Sequence, residues 1–377
     1  MSYGLGNGQP WNLAYGLKKI GHEVEILVPE EGEFSELAKK EGIPAHIINI
    51  ASSFRTASIL KKRYLDLIAL PAFRKLCRNK AFDVIQLNMF RGRILGRLAN
   101  ICPKNSIIVS TIHGLDPLPG PRRGYFLEKM TNWVDNATVA ISEDVRRNLI
   151  FCKIPVKKIR VIYNGVNLEE IDKKNVDKGY LHRELGLDDA TQLVGMIAHF
   201  YPDVKGHDIF LEAARLLIES IGKHKKVHFA LVGTDFFRGN YSQLMKDYAV
   251  KLGISDSVSF LGMRNDIFSI IDSFSVLALP SKVREGFGLV LTEAMARKIP
   301  VVGSRIGGIP EVIKDKETGL LVEPNNPNSL SNAIIKILAN PDIAKRMGEA
   351  GRCRVEEKFS SKVVARNYEA LFCELLT

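Results

Sequence analysis

The sequence predicts an α/β protein made of two doubly wound, parallel-sheet domains. Short apolar runs alternate with helix-length amphipathic segments along the whole chain, the pattern of strands crossing over through helices. Runs such as Val276-Leu277-Ala278-Leu279 carry no polar residue and read as strands buried on both faces of a parallel sheet. At 377 residues the chain exceeds one ordinary core and fits two domains of usual size.

In the first half, strands are expected near 23–28, 45–49, 83–87, 106–111, 137–140 and 159–162, with helices over 9–20, 91–101, 121–135 and 143–151. Asn164-Gly165 makes a turn, and the polar stretch from Asp172 to Lys178 is the expected linker, giving domains of 1–170 and 171–360. The second half restarts at Leu193-Val194-Gly195-Met196-Ile197-Ala198 and continues into a helix over 207–221. Further strands are expected near 227–232, 258–261, 275–279, 300–303 and 319–322. Of three closing helices the last, 361–376, is a candidate to return to the first domain. The opening is unusual. A doubly wound domain ordinarily starts with a buried strand whose following loop carries the ligand, whereas Met1 to Gly8 is loop-like, with Gly4, Gly6 and Gly8. Either the first strand is missing from this chain or the domain starts differently.

Apolar residues make up 46% and charged residues 25% of the chain, as in ordinary globular proteins. No apolar run reaches the roughly 18 residues that span a bilayer, and no signal peptide opens the chain. The five cysteines are scattered without a Cys-x-x-Cys pair, which argues for reduced thiols and against a zinc site. The expected location is therefore cytoplasmic.

The net charge of +11 is lopsided: residues 1–167 hold 25 Lys/Arg against 14 Asp/Glu, and the remainder holds 28 of each. Residues 55–104 alone carry 12 basic side chains against Asp66 and Asp83. There, cations from Arg55 to Lys80 interleave with apolar residues from Ile59 to Leu76, which fits a segment lying on an anionic membrane surface. A solvated helix packed by its apolar face on its own domain fits equally well. No nucleic-acid-binding motif accompanies the charge.

The sharpest candidate site is Arg284-Glu285-Gly286-Phe287-Gly288-Leu289-Val290-Leu291-Thr292-Glu293, between a strand and a helix. In one continuous helix the two glutamates would stand about 80° apart around the axis. Gly286 and Gly288 favour a loop instead, which lets Glu285 fold back beside the helix start, where free N–H groups attract an anion. Carboxylates beside an anion site suit a ligand with both phosphate and hydroxyls; a capped helix with one solvated glutamate is the plainer reading. Lys205 opens the first helix of the second half in Lys205-Gly206-His207. His113 ends the strand before Gly114, at the sheet edge where ligands bind. Asp116 follows three residues on and either meets a ligand or caps the loop.

Taken in order, Gly21-His22-Glu23-Val24, Thr111-Ile112-His113-Gly114, Val161-Ile162-Tyr163-Asn164-Gly165-Val166, Lys205-Gly206-His207, the double-glutamate segment, Gly307-Gly308-Ile309-Pro310-Glu311-Val312 and Gly319-Leu320-Leu321-Val322 resemble a family 4 glycosyltransferase of the GT-B fold. The resemblance runs from about residue 4 to the end. It implies two facing Rossmann-like domains, an active site in their cleft, and retaining transfer of a hexose-type sugar from a nucleotide-diphosphate sugar to a hydroxyl acceptor. It further implies no metal or other cofactor, and the chain has no Asp-x-Asp at a strand end. Position by position, it places Glu293 on the ribose, Glu285 on the donor sugar beside the main-chain N–H groups of Gly286, Phe287 and Gly288, and Lys205 on the diphosphate. His113 falls near the donor sugar and diphosphate, and Gly6 and Gly8 fall in the first glycine loop. The chain departs from the family pattern at His199, where an arginine normally partners the lysine. Expected partners are a nucleotide sugar and a glycan or lipid-linked, cell-envelope acceptor, with contact at the inner face of an anionic membrane through 55–104 and no nucleic acid. A non-catalytic nucleotide-sugar-binding protein and a nucleotide-sugar epimerase on the same fold are the alternatives.

Overall fold

The computed structural model describes residues 8–49, 59–99, 106–114, 128–173, 177–222, 226–235 and 239–377, with the backbone alone for 33 and 59–67. Among these, the chain forms two compact units: Gln9–Asn164 with Ser361–Thr377, and Gly165–Ser360.

The first unit contains a parallel pair, β1 (Ile26–Val28) and β2 (Ala45–Ile47), and a four-stranded parallel sheet in the order β3 (Val84–Leu87), β4 (Ile107–Ile112), β5 (Ala137–Ala140) and β6 (Ile159–Val161). All six residues of β4 are buried because both of its faces are covered. On one side the helices Gln9–Lys19 and Ser361–Leu376 bring Leu13, Leu17, Val364, Tyr368 and Phe372 against Ile107 and Val109. The Tyr368 hydroxyl reaches Thr111 Oγ1 at 2.7 Å, satisfying two polar groups that burial would otherwise penalise. On the other side Phe73 and Cys77, from the helix Ile59–Lys80, pack with Ile85, Leu87, Ala99 and Ile108.

The second unit holds six parallel strands: β7 (Gln192–Ile197), β8 (Val227–Val232), β9 (Val258–Phe260), β10 (Val276–Leu279), β11 (Val301–Ser304) and β12 (Gly319–Val322). Their spatial order is β12-β11-β10-β7-β8-β9. Counted from the first strand of the unit this is 3-2-1-4-5-6 read from the other end, the doubly wound order, in which the chain reverses direction across the sheet between β7 and β10. Ligands of such sheets bind at the carboxyl ends of the two strands flanking that reversal. The four described cysteines, Cys77, Cys152, Cys353 and Cys373, are free. No helix among the described residues is long and apolar enough to cross a membrane.

Candidate functional site

The reversal between β7 and β10 gathers most of the residues singled out from the sequence. Lys205 lies in the loop leaving β7, ahead of the helix His207–Ile221; Glu285 lies in the loop leaving β10, ahead of the helix Leu289–Ala296. Lys205 Nζ stands 2.5 Å from Glu285 Oε2, and Ser281 Oγ donates to the same oxygen at 3.4 Å. The two loops are pinned by main chain as well: Lys282 N donates to Val204 O at 2.8 Å. Gly206, at φ +74°, is a requirement of this approach, since a Cβ there would lie 2.0 Å from Pro280 O.

A third loop supports Glu285 from behind. Gly308 N donates to Glu285 O at 2.8 Å. Gly307 sits at φ +61°, and a Cβ on it would come within 2.2 Å of the same carbonyl oxygen. The Gly307-Gly308 motif therefore acts as a backbone buttress that sets the position of the Glu285 loop. Phe287 turns inward, its ring 5.4 Å from that of Phe359 in an edge-on contact, so its side chain is a core anchor and only its main chain is available to a ligand. Gly288, at φ +88°, starts the helix that carries Glu293.

Glu293 is half-buried between the buried Thr292 and Ala294. Loss of solvation, reinforced by the charge of Glu170, pushes its pKa up to about 8. The sequence reading treats Glu293 as an ionised hydrogen-bond acceptor; in the free protein it is a protonated carboxyl at neutral pH. His199 follows the end of β7, half-buried, with Nδ1 3.3 Å from Thr234 O. His207, the first residue of its helix, is core instead: it stacks on Phe200 at 4.3 Å, and burial lowers its pKa to about 4.

The first unit contributes a separate arrangement around His113, just beyond β4. Its Nε2 lies 3.0 Å from Asn88 Oδ1, at the end of β3. Both strand ends are tied by Arg93, 3% exposed, which donates to Asn88 O at 2.8 Å and Thr111 O at 3.3 Å and is itself held by Glu128 at 2.6 Å. Alongside it, fully buried Arg97 makes two hydrogen bonds to Asp135, at 2.8 and 2.7 Å, and one to Glu128 at 2.5 Å. Desolvation first, and then the nearby Arg93 charge, lower the His113 pKa to about 4, so the imidazole is neutral at pH 7. None of Asn88, Arg93 or Glu128 was marked by the sequence, since only the pairing of β3 with β4 brings them to His113. Gly8 is buried just ahead of the first helix, while Gly6 and Asp116 lie outside the described residues. No cluster of three or more His, Cys, Asp or Glu side chains among the described residues could hold a metal ion.

This arrangement can do definite chemistry. The pair at the β7–β10 reversal offers a cation for phosphate and a carboxylate for hydroxyls, and the Glu293 carboxyl follows about one turn into the helix. Comparison with known proteins agrees with it. Residues 177–354 match the family model described as glycosyl transferases group 1, and residues 10–170 match glycosyltransferase family 4. Among curated relatives, the N-acetyl-alpha-D-glucosaminyl L-malate synthase of Bacillus anthracis is 30% identical over 59% of this chain and 55% of that protein. The UDP-Gal:alpha-D-GlcNAc-diphosphoundecaprenol alpha-1,3-galactosyltransferase of Escherichia coli is 26% identical over 86% of this chain and 85% of its own. Among solved structures, Anabaena Alr3699/HepE in complex with UDP and glucose superposes with a TM-score of 0.82 at 20% identity, covering 99% of this chain and 98% of the other; at that identity the likeness speaks for the fold. With both halves of the chain matched in order and the loops of the second unit assembled at the strand reversal, the chain belongs to the family 4, group 1 glycosyltransferases of the GT-B fold.

Proposed function

We propose that this glycosyltransferase moves a hexose-type sugar from a nucleotide-diphosphate sugar to a hydroxyl acceptor, with retention at the anomeric carbon and without a metal. The observation that carries the reading is the Lys205–Glu285 pair at the β7–β10 reversal. Lys205 engages the diphosphate, Glu285 accepts from hydroxyls of the donor sugar, and Glu293 accepts from the ribose. In the transfer step the bond from the anomeric carbon to the phosphate oxygen breaks with its electrons on the oxygen. The acceptor hydroxyl forms its bond on the same face, and its proton passes to the departing phosphate. Lys205 and the amino terminus of the helix His207–Ile221 stabilise the charge that develops there. His199 adds a hydrogen bond where a second cation would be stronger. His113, neutral and fixed by Asn88, serves as a hydrogen-bonding group toward donor sugar or phosphate.

The acceptor is a lipid-linked or cell-envelope glycan in this reading. The name of the Escherichia coli relative, with its diphosphoundecaprenol acceptor, supports that class, as does the cationic surplus of residues 1–167. The enzyme works at the inner face of the membrane, with residues 55–104 contributing to contact. The test is incubation of the purified protein with a panel of nucleotide sugars and lipid-linked acceptors, following nucleotide release and the anomeric configuration of the product. Release of nucleotide with an α-product from an α-donor is expected; inversion, or product from the donor alone by epimerisation, would refute the mechanism.

A further inference from the structure

The amino-terminal edge of the first unit's sheet carries an apolar, cationic surface that none of the motifs accounts for. Trp133 is 67% exposed and Phe151 is 82% exposed, with Val156 at 52%. Trp133 is held outward by its own turn. Asn132 is buried and donates to Asp135 and Thr138, Val134 packs into the core, and Lys158 Nζ donates to the Trp133 carbonyl at 3.0 Å. That last bond joins the turn before β5 to the turn before β6, which also contains Val156. Phe151 ends the helix Glu143–Phe151, whose chain runs through Cys152–Pro155 into the same turn. Its helix buries Val145 and Leu149 on another face, so the Phe151 ring has no place in its own core.

Cations predominate around these rings, although Arg160 beside Lys157 is paired with Glu374 and Asp83 is exposed ahead of β3. Residues 151–167 contain no Asp or Glu, and Lys153 and Lys157 are exposed, with no ion-pair partner among the described residues. β3 to β6 are all parallel, so the end of the helix Ile59–Lys80, with exposed Arg78, arrives at this same edge. Protein–protein interfaces favour aromatic residues but are poor in lysine. Protruding Trp and Phe rings rimmed by unpaired lysines suit the boundary between anionic headgroups and acyl chains.

We propose that this edge, centred on Trp133, Phe151 and Val156 with Lys153 and Lys157, is the surface by which the enzyme docks on an anionic membrane. The inference rests on the membrane contact of the proposed function, moves its centre from residues 55–104 to the turns before β5 and β6, and is independent of the donor chemistry. The chain has two tryptophans, and Trp11 is 3% exposed, so a change in emission reports on Trp133. Fluorescence is read on mixing the full-length protein with vesicles of phosphatidylglycerol and phosphatidylcholine, or of phosphatidylcholine alone. A blue shift is expected with the anionic vesicles only, lost in Trp133→Phe and reversed by high salt. Phe151→Ser with Lys157→Glu should lower vesicle partitioning at least tenfold while nucleotide-sugar binding, measured on the same preparations, stays unchanged. No blue shift, an equal shift with neutral vesicles, or unaltered partitioning of the double variant overturns the proposal. So does a blue shift without lipid that grows with protein concentration, which would identify a second copy as the occupant. Loss of nucleotide-sugar binding in the wild type would count against the donor reading and leave the docking result standing.

Discussion

Lys205 and Glu285 form an ion pair across the strand reversal, Nζ to Oε2 at 2.5 Å, although 80 residues separate them in the chain. The lysine assigned to the diphosphate is therefore already engaged by the carboxylate assigned to the sugar. In the proposed function a bound nucleotide diphosphate would compete with Glu285 for the same ammonium group, and only a complete donor would give both residues new partners.

This competition predicts opposite effects of one substitution. Glu285→Gln frees Lys205, so the nucleotide diphosphate without sugar binds more tightly by about 0.5–1 kcal/mol, the scale of a partly exposed pair. Transfer falls about 10²-fold, because hydroxyl contacts that strengthen in the transition state are lost. Equilibrium titration with the diphosphate and a steady-state rate measure the two. Weaker diphosphate binding in the variant would show that the pair does not oppose the ligand.

If Glu293 holds the ribose as proposed, binding should be proton-linked. With its pKa raised to about 8 in the free protein, the carboxyl is largely protonated at pH 7, and accepting two ribose hydroxyls favours the ionised form. Binding of a nucleotide sugar at pH 7 then releases a proton. Calorimetry in buffers of different ionisation enthalpy should give different apparent heats, and Glu293→Gln should remove the difference. Stability of the free protein has the opposite pH dependence to binding: the folded pKa lies above the unfolded value near 4.5, so the contribution is complete below pH 4.5 and is lost as pH rises through about 8.

Gly307→Ala tests the buttress. The added Cβ would stand 2.2 Å from Glu285 O on a backbone at φ +61°, so the Glu285 loop must move. A loss of about 1–3 kcal/mol in denaturant stability should come with weaker donor binding. Stability loss with donor affinity intact would confine Gly307 to a packing role.

Asn88→Asp tests how His113 is kept neutral. A carboxylate in place of the amide oxygen now 3.0 Å from Nε2 favours the imidazolium, against the desolvation and Arg93 charge that lower the pKa to about 4. The His113 ring resonances should stay constant from pH 5.5 to 8 in the wild type and titrate in the variant. The variant's rate should fall as pH drops through that new pKa. A variant histidine that still does not titrate would show that Asn88 has no influence on its charge.

Much of this fold was legible from short apolar runs, because parallel strands buried on both faces carry few polar residues, as in β10, Val276-Leu277-Ala278-Leu279. The loops holding Lys205 and Glu285 could also be read, since each follows such a strand and opens a helix. Their ion pair could not: it depends on β10 lying beside β7 rather than outside β8 or β9, and neighbour relations leave no local trace. The same holds for Arg93 and Asn88, whose importance comes from where β3 ends relative to β4. Charge state was hidden for a related reason. Glu293 reads as one more helical glutamate, and only its enclosure beside Glu170 makes it a weak acid.

The most direct test of the donor assignment is equilibrium binding of a panel of nucleotide-diphosphate sugars to the folded wild-type protein and to Glu293→Ala. At least one donor should bind the wild type, and the variant should bind it more weakly by about 1–3 kcal/mol, through lost hydrogen bonds to the ribose. Failure of every donor to bind the wild type, or equal affinity for both proteins, would contradict that assignment.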